Sequence, residues 1–175
     1  SVNQSFNRIT VDGDTSTNDA CTLTATNQSG VQLRDCLNDF QLALNEVTKK
    51  LAHMIVMDGE GATKFVEIRA SGLASGDDCL EVAYTVAHSP LVKTALFASD
   101  ANWGRILAAV GRSKVNGLVI ENINIYLNNL PIILAGELDE QYSEEAASAE
   151  MSKSKIVIRI EMGESSSSES VWTTD

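Results

Sequence analysis

The chain has 175 residues, with 13 Lys and Arg against 24 Asp and Glu, and its net charge is -11. A chain of this size can form one globular domain that buries roughly 70% of the surface of its unfolded state. The acidic balance argues against a nucleic-acid interface or a membrane-binding patch, because both need clustered Lys and Arg. No stretch approaches ~18 continuous apolar residues, so the sequence predicts a soluble protein.

The cysteines are few and isolated. There are three, widely spaced and without a CxxC pair: Cys21, Cys36 and Cys79. This usage fits neither a disulfide framework nor a zinc site. It indicates a reducing compartment such as the cytoplasm.

A dense polar segment runs from Asp12 to Asp19. Side-chain oxygens at alternating positions are typical of calcium loops. Here the sixth loop position is Thr17 instead of glycine, and the twelfth is Leu23 instead of a bidentate glutamate. We therefore predict a hydrogen-bonded turn at this segment and no metal site.

The longest periodic pattern predicts a helix. Apolar residues recur in steps of three and four from Leu33 to Ile55, which places one apolar stripe along an amphipathic helix. The helix should stop at Asp58-Gly59, because glycine readily adopts the left-handed conformation that ends helices. Period-two alternation from Lys64 to Ala70 then predicts a half-buried strand.

Shorter elements are predicted in the middle of the chain. Asp77-Asp78 can cap a helix that carries Leu80 to Ala87, and Pro90 should end it. The segment Leu91 to Ala98 is short and apolar and is predicted to be extended. A further helix is predicted from Arg105 to Val110.

The remaining elements mix a hairpin, a helix and a strand. Alternating residues flank a two-residue turn at Asn128-Asn129 and predict a hairpin. The acidic, alanine-rich segment Glu137 to Met151 is predicted to be an exposed helix, and Ile156 to Ile160 a strand. The serine run Ser165 to Ser170 is predicted to be a loop. This order favours an α/β fold of α+β layered type, with mixed sheets and packed helices.

Glu60 lies between two glycines in the segment Gly59 to Lys64. The segment lacks the glycine spacing and the GK[ST] ending of a phosphate loop, and it follows a helix instead of a strand. An exposed turn is one interpretation of Glu60. In a cleft, the same carboxylate could bind a ligand amine or exchange a proton, since the glycines allow close backbone approach.

The segment Asp100 to Arg105 has tryptophan and arginine flanking a glycine at a predicted helix start. Helix N-termini and arginine side chains both bind anions. Equally, the tryptophan could anchor the segment while Arg105 pairs with Asp100. Composition leaves both interpretations open.

The chain has two histidines, His53 and His88. Neither lies in a nucleophile or metalloprotease motif. Both lie near predicted helix ends, where a favourable charge–dipole contact is the favoured use.

Four sequence blocks occur in order from one end of the chain to the other. They are SFNRITVDGDTSTND (Ser5 to Asp19), GEGATK (Gly59 to Lys64), SPLVKTALFASDANWGR (Ser89 to Arg105) and VWTTD (Val171 to Asp175). In this combination the chain resembles the β chain of the bifunctional ornithine acetyltransferase/glutamate N-acetyltransferase family. The resemblance implies the fold of that family, which is similar to self-processing N-terminal-nucleophile aminopeptidases.

The resemblance also implies a reaction. Family members are made as one precursor that cleaves itself before a threonine, which gives α and β chains and frees that threonine as the nucleophile. It takes the acetyl group from N-acetylornithine and passes it to glutamate in arginine biosynthesis, and the α chain supplies the oxyanion hole. No cofactor is implied, although some members use acetyl-CoA as an acetyl donor. The implied location is the cytoplasm, or the mitochondrial matrix in a eukaryote.

Only part of the family site maps onto this chain. Glu60 matches the glutamate that binds the substrate, through the α-amine or the side-chain amine of the amino acid. Six further residues lie in matching blocks and are expected to shape the site: Asp14, Thr15, Asn18, Lys64, Asn102 and Arg105. No catalytic residue is expected here, because the nucleophilic threonine falls upstream of Ser1.

The expected domain organisation is a single region, residues 1–175. It corresponds to most of a β chain without the nucleophile segment and without the terminal strand that follows Asp175 in the family. The family's glycine-rich GRGxASAT stretch is replaced here by Gly163 to Ser170, so local packing before Val171 is expected to differ. We expect an α chain from the same precursor as partner, in an αβ unit that assembles further, and no acetyl transfer by the isolated chain.

Two rival interpretations remain. A related self-processing amidohydrolase or aminopeptidase would use water instead of glutamate as the acceptor. A degenerate, non-catalytic subunit would keep the fold without the activity.

Overall fold

The structure is a computed structural model that describes residues 1–175. The α-helices are α1 (Leu37–Met57), α2 (Gly76–Ala87), α3 (Pro90–Phe97), α4 (Trp103–Gly111) and α5 (Glu144–Met151). The strands are β1 (Phe65–Gly72), β2 (Asn124–Leu127), β3 (Leu130–Leu134), β4 (Glu137–Leu138), β5 (Lys155–Glu161) and β6 (Ser165–Thr174). None of the helices combines the length and the apolar character needed to cross a membrane.

All six strands form one mixed sheet in the order β4-β3-β2-β5-β1-β6. β1 and β5 run parallel, with Ile68 opposite Ile158, and every other neighbouring pair is antiparallel. Side chains from one face of the sheet pack with α2 to α5 into the main buried core. The layered α/β fold class predicted from the order of elements is confirmed.

The two faces of the sheet are covered differently, as the alternation of side chains along β1 shows. Val66, Ile68 and Ala70 face the core and are fully buried. Glu67 and Arg69 point to the opposite face and stay partly or largely exposed. On that face α1 packs near β6, and much of the remaining face of the sheet is exposed in this chain.

The predicted long helix is confirmed as α1, but it begins at Leu37 instead of Leu33, because Leu33–Asp35 forms a separate 3-10 turn. α1 touches the sheet along a narrow line. Its buried residues are Thr48, Ala52 and Val56, spaced four apart. The apolar stripe of the sequence instead remains exposed: Leu37, Phe40, Val47, Leu51, Met54 and Ile55. A monomer rarely leaves a continuous apolar stripe of this kind open, so the exposed side of α1 has the character of an interaction surface.

His53 packs α1 against the sheet. Its ring lies between Phe65 and Trp172, with centroid distances of 4.9 and 4.5 Å. The Nε2 atom of His53 is buried without a hydrogen-bond partner. Burial, with a smaller contribution from Lys49, lowers the pKa of His53, so the ring is uncharged at neutral pH. The predicted charge–dipole role of His53 is therefore wrong.

The segment Leu91 to Ala98, predicted to be extended, forms most of helix α3. Pro90 lies in its first turn, where the fixed φ of proline suits a helix and no backbone N–H is needed. Val92, Ala95 and Leu96 are buried at helical spacing. Pro90 ends the preceding helix, as predicted, and also begins the next one.

Other boundaries are partly as predicted. The hairpin around Asn128-Asn129 is confirmed as β2 and β3. Only the second half of the predicted helix Glu137 to Met151 is helical, because Glu137–Leu138 pairs with β3 and the Ser143 hydroxyl caps α5 by accepting a hydrogen bond from Ala146 N. Ser75 caps α2 instead of the predicted aspartates, by accepting a hydrogen bond from Asp78 N.

The serine run Ser165 to Ser170, predicted to be a loop, is the first half of β6. Its backbone pairs with β1, with Ser168 opposite Ser71. Before this run, Gly163 lies directly against Gly72. Gly72 has a φ of +90°, and a side chain added to Gly72 would meet the backbone of Gly163. Strand pairing across the sheet therefore overrides the loop-like composition of this run.

The packing of His53 predicts a pH dependence of stability. The folded pKa of His53 is lowered, so the unfolded state binds more protons below the ordinary histidine pKa, and stability should fall as the pH drops through that range. His53→Phe keeps an aromatic ring in the slot and removes the proton site. We expect the thermal midpoint of the wild-type chain to fall more than that of His53→Phe between pH 7.5 and 5.5. An equal decrease of the thermal midpoint in the two proteins would contradict the assignment of a lowered pKa to His53.

Candidate functional site

Glu60 lies in the tight turn that joins α1 to β1. The turn closes through a hydrogen bond of 3.0 Å from Ala62 N to Gly59 O. Gly61 has a φ of +76°, a conformation that favours glycine. The Glu60 side chain is exposed and forms no hydrogen bond or ion pair within the chain. Its carboxylate is therefore free to meet a ligand.

The end of β6 lies against this turn. The Asp175 carboxylate accepts hydrogen bonds from Thr63 N at 2.8 Å and Lys64 N at 3.0 Å, and also from the Thr63 hydroxyl. Burial acts to raise the pKa of Asp175, but these hydrogen bonds outweigh it and lower the pKa overall. Asp175 is therefore ionised at neutral pH and connects the turn to β6.

The residues that lead into the polar segment also lie beside the turn. Thr10 N donates a hydrogen bond of 3.0 Å to the carbonyl of Trp172 in β6. The side chain of Val11 lies next to Gly59. The first and last sequence blocks are therefore brought to the turn that carries Glu60.

His88 contacts this same part of the chain. A ring nitrogen of His88 lies 3.0 Å from Thr10 Oγ1, and Gly13 lies over the ring. Partial desolvation and the nearby Lys93 lower the pKa of His88, against an opposing effect of Asp12. The ring is thus uncharged at neutral pH, and the predicted charge–dipole role of His88 is wrong.

The polar segment itself is exposed. Asp14 N donates to Asp12 Oδ1 at 2.9 Å, which is the kind of turn predicted from the sequence. Asp14, Thr15 and Asn18 all point into solvent in this chain. No group of three or more His, Cys, Asp or Glu side chains lies close enough together to hold a metal ion.

Lys93 of α3 reaches the end of β6. Its Nζ donates to Thr174 O at 2.7 Å and to Thr173 Oγ1 at 3.1 Å. Burial lowers the pKa of Lys93, while the nearby carboxylates of Asp175 and Asp12 act in the opposite direction. Lys93 therefore joins the third sequence block to the fourth.

Lys64 is directed into the fold. Its side chain is buried, and its Nζ donates to Leu96 O and to Ser99 Oγ, the latter at 2.8 Å. The amine is thus engaged with the end of α3, while its backbone N–H binds Asp175. In this chain Lys64 holds α3 against the start of β1.

Asn102 and Arg105 have contacts within and between helices. The Asn102 side chain caps α4 by accepting a hydrogen bond from Arg105 N at 3.3 Å, and its Nδ2 donates to Asp100 Oδ2 at 3.1 Å. Arg105 Nη1 donates to Leu91 O and Thr94 Oγ1, both at 3.0 Å, and so holds α3 to α4. Arg105 does not pair with Asp100, the alternative that composition had left open.

Sequence reasoning named Glu60 but missed its neighbours. The structure adds Thr63 and Asp175 beside the turn and Lys93 at the end of β6, whereas the hydrogen bonds of the Asn102 and Arg105 side chains stay within α3, α4 and the residues between them. All three added residues lie in the blocks that carry the resemblance, which is the one signal that could have found them. The Thr63 and Asp175 contact spans 112 positions, so no local pattern reveals it.

The fold and this site define a mixed α/β chain with an exposed acidic turn beside the end of β6, around which four distant segments meet. The chain superposes on the crystal structure of the arginine biosynthesis bifunctional protein argJ from Bacillus halodurans with a TM-score of 0.88 and 35% identity. The match covers 99% of this chain and 83% of that one.

Sequence comparison agrees. The ArgJ family model matches residues 1–175. Arginine biosynthesis bifunctional proteins ArgJ from Pseudomonas syringae and Chlorobaculum tepidum are 49% and 47% identical, over 99% and 98% of this chain. The chain belongs to the ArgJ family, and the resemblance carried by the four blocks is confirmed. It spans 44% and 42% of the lengths of these two relatives.

The capping role of Asn102 can be tested by stability. Asn102→Ala removes the side-chain acceptor at the start of α4 and should lower the free energy of unfolding by about 1 kcal/mol. Asn102→Ser keeps an acceptor that suits this position and should lose much less. Urea unfolding of the three proteins measures the difference, and equal losses in both variants would contradict the capping role.

Proposed function

We propose that this chain is the greater part of one chain of an enzyme that moves an acetyl group from N-acetylornithine to glutamate. The observation that carries the proposal is the meeting of all four family blocks around the end of β6 beside the Glu60 turn, in a chain of the ArgJ family. The relatives named bifunctional arginine biosynthesis proteins support the same reaction. Acetyl-CoA is proposed as an additional acetyl donor, and no cofactor is required.

In the proposed reaction a threonine outside these residues is the nucleophile. Its hydroxyl attacks the acetyl carbonyl of N-acetylornithine, the amide C–N bond breaks, and the hydroxyl proton leaves with the ornithine amine. The amine of glutamate then attacks the acetyl-threonine ester, and the threonine recovers its proton. The two half-reactions conserve atoms and charge and need no redox partner.

Glu60 is proposed to hold the amine of the amino-acid substrate. An exposed carboxylate without a partner in the chain can form a charge-assisted hydrogen bond to an ammonium group. N-acetylornithine offers its side-chain ammonium group, which is free because the acetyl group is on the α-nitrogen. The α-amine of glutamate is the nucleophile of the second half-reaction and must reach the ester unprotonated, so it is not the group that Glu60 holds.

The proposed partner is an α chain from the same precursor. This chain spans less than half of its curated relatives, so most of each relative lies outside the matched region. The exposed apolar side of α1 and the open face of the sheet offer a surface of the type that a permanent partner covers. We propose an αβ unit that assembles further. A cytoplasmic location is also proposed, in keeping with three cysteines that form no disulfide.

The role of Glu60 can be tested in the complete αβ enzyme. Glu60→Ala should raise KM for N-acetylornithine about tenfold, because one charge-assisted hydrogen bond to its side-chain ammonium group is lost. Glu164→Ala is the matched control, since Glu164 also follows a glycine in an exposed turn and has no contact with the site.

The assay should follow N-acetylglutamate and free acetate together. We expect N-acetylglutamate to appear in step with ornithine. An unchanged KM for N-acetylornithine in Glu60→Ala would remove Glu60 from the site. Release of acetate at the same rate without glutamate would indicate that the enzyme is an amidohydrolase instead of a transferase.

The role of α1 in assembly can be tested at Leu51, which is 45% exposed in the apolar stripe. Leu51→Asp would bury an unpaired charge in the interface and should weaken association with the α chain by about 2 kcal/mol or more. Lys50→Asp, on a different side of the same helix, is the matched control. Co-purification of the two chains measures the effect, and full association of Leu51→Asp would contradict this interface.

A further inference from the structure

Asp175 is the principal anchor of the chain segment between the Glu60 turn and β1. Its Oδ1 accepts the N–H groups of both Thr63 and Lys64, and its Oδ2 accepts the Thr63 hydroxyl. Hydrogen bonds to an ionised acceptor are roughly twice as strong as neutral ones. The two backbone bonds also fix the orientation of the backbone at Thr63 and Lys64, because both consecutive amide N–H groups donate to the same oxygen.

The backbone hydrogen bonds of the rest of the turn all lie within the turn or lead back to α1. Gly59 N donates to Val56 O and Ala62 N donates to Gly59 O, so these bonds are local. The glycines on either side of Glu60 allow many backbone conformations. Beyond Ala62 the next fixed residues are Thr63, whose hydrogen bonds all go to Asp175, and Lys64, whose side chain is bound to α3. Without the bonds to Asp175, the backbone from Glu60 to Thr63 would have considerable freedom.

The anchor is itself held in place. Lys93 donates to Thr174 O and Thr173 Oγ1, the two residues before Asp175. Thr174 Oγ1 donates in turn to Lys64 O at 2.9 Å. The end of β6 is therefore fixed to α3 on one side and to the start of β1 on the other, which makes Asp175 a rigid support.

We propose that Asp175 is a positioning residue that fixes the Glu60 turn and so sets where the Glu60 carboxylate meets the substrate amine. This inference rests on the proposed function, in which Glu60 binds that amine. Asp175 does not touch the substrate and acts only through the turn. Removing it should therefore weaken amino-acid binding in the same way as removing Glu60.

The test uses the complete αβ enzyme and four proteins: wild type, Glu60→Ala, Asp175→Ala and the double variant. Asp175→Ala should raise KM for N-acetylornithine about tenfold and change kcat by less than about threefold, because a loosened turn loses the bond that Glu60 makes. In the double variant KM should equal that of Glu60→Ala within about twofold, because Asp175 has no route to the substrate once Glu60 is gone.

A purely structural role would give another pattern. If the KM increases multiply to about a hundredfold in the double variant, or if Asp175→Ala leaves KM unchanged while Glu60→Ala raises it, the positioning role is overturned and the function of Glu60 stands. If Glu60→Ala itself leaves KM unchanged, the proposed function fails and this inference fails with it. Asp175→Asn keeps an acceptor for the two amides but removes its charge, so if Asp175→Ala does not fold we expect a smaller KM increase that disappears in the Glu60→Ala background. An increase that persists in that background overturns the positioning role.

Discussion

The antiparallel pairing of β6 with β1 joins residues about a hundred positions apart and brings the site together. It places Asp175 beside Thr63 and Lys64, and Trp172 beside His53. At the outer edge of β6, the backbone of Thr10 adds the polar segment to the same end of the sheet. Because β1 also pairs in parallel with β5, the strand that supports the site is held by a neighbouring strand on both sides. The site thus depends on the long-range register of one strand pair.

Sequence reasoning predicted the elements whose signals are local. The helical stripe of α1, the alternation of β1 and the Asn128-Asn129 turn each contain their own periodicity or turn chemistry, and all three are confirmed. It failed where tertiary pairing decides the outcome. The serine run of β6 is extended because β1 supplies its hydrogen bonds, and α3 forms because Pro90 suits a first turn as well as it suits a helix end.

The site could be predicted only in part for the same reason. Glu60 was recognisable because two glycines frame it and because its block matches a family. Asp175 and Lys93 act through contacts with distant segments, which a single sequence does not display. The burial of Lys64 and the capping by Asn102 show that residues within a family block can serve the fold. The apolar stripe of α1 predicts an amphipathic helix, but the sequence alone does not show that the sheet leaves this stripe exposed.

The most direct measurement is a crystal structure of the complete enzyme with N-acetylornithine bound and the nucleophilic threonine replaced by alanine. We expect one Glu60 carboxylate oxygen within about 3 Å of the side-chain amine of the ligand. The hydrogen bonds from Thr63 and Lys64 to Asp175 should be present in the same structure. A ligand whose amine contacts other residues, while Glu60 faces solvent, would contradict the central claim that this chain supplies the amine-binding carboxylate.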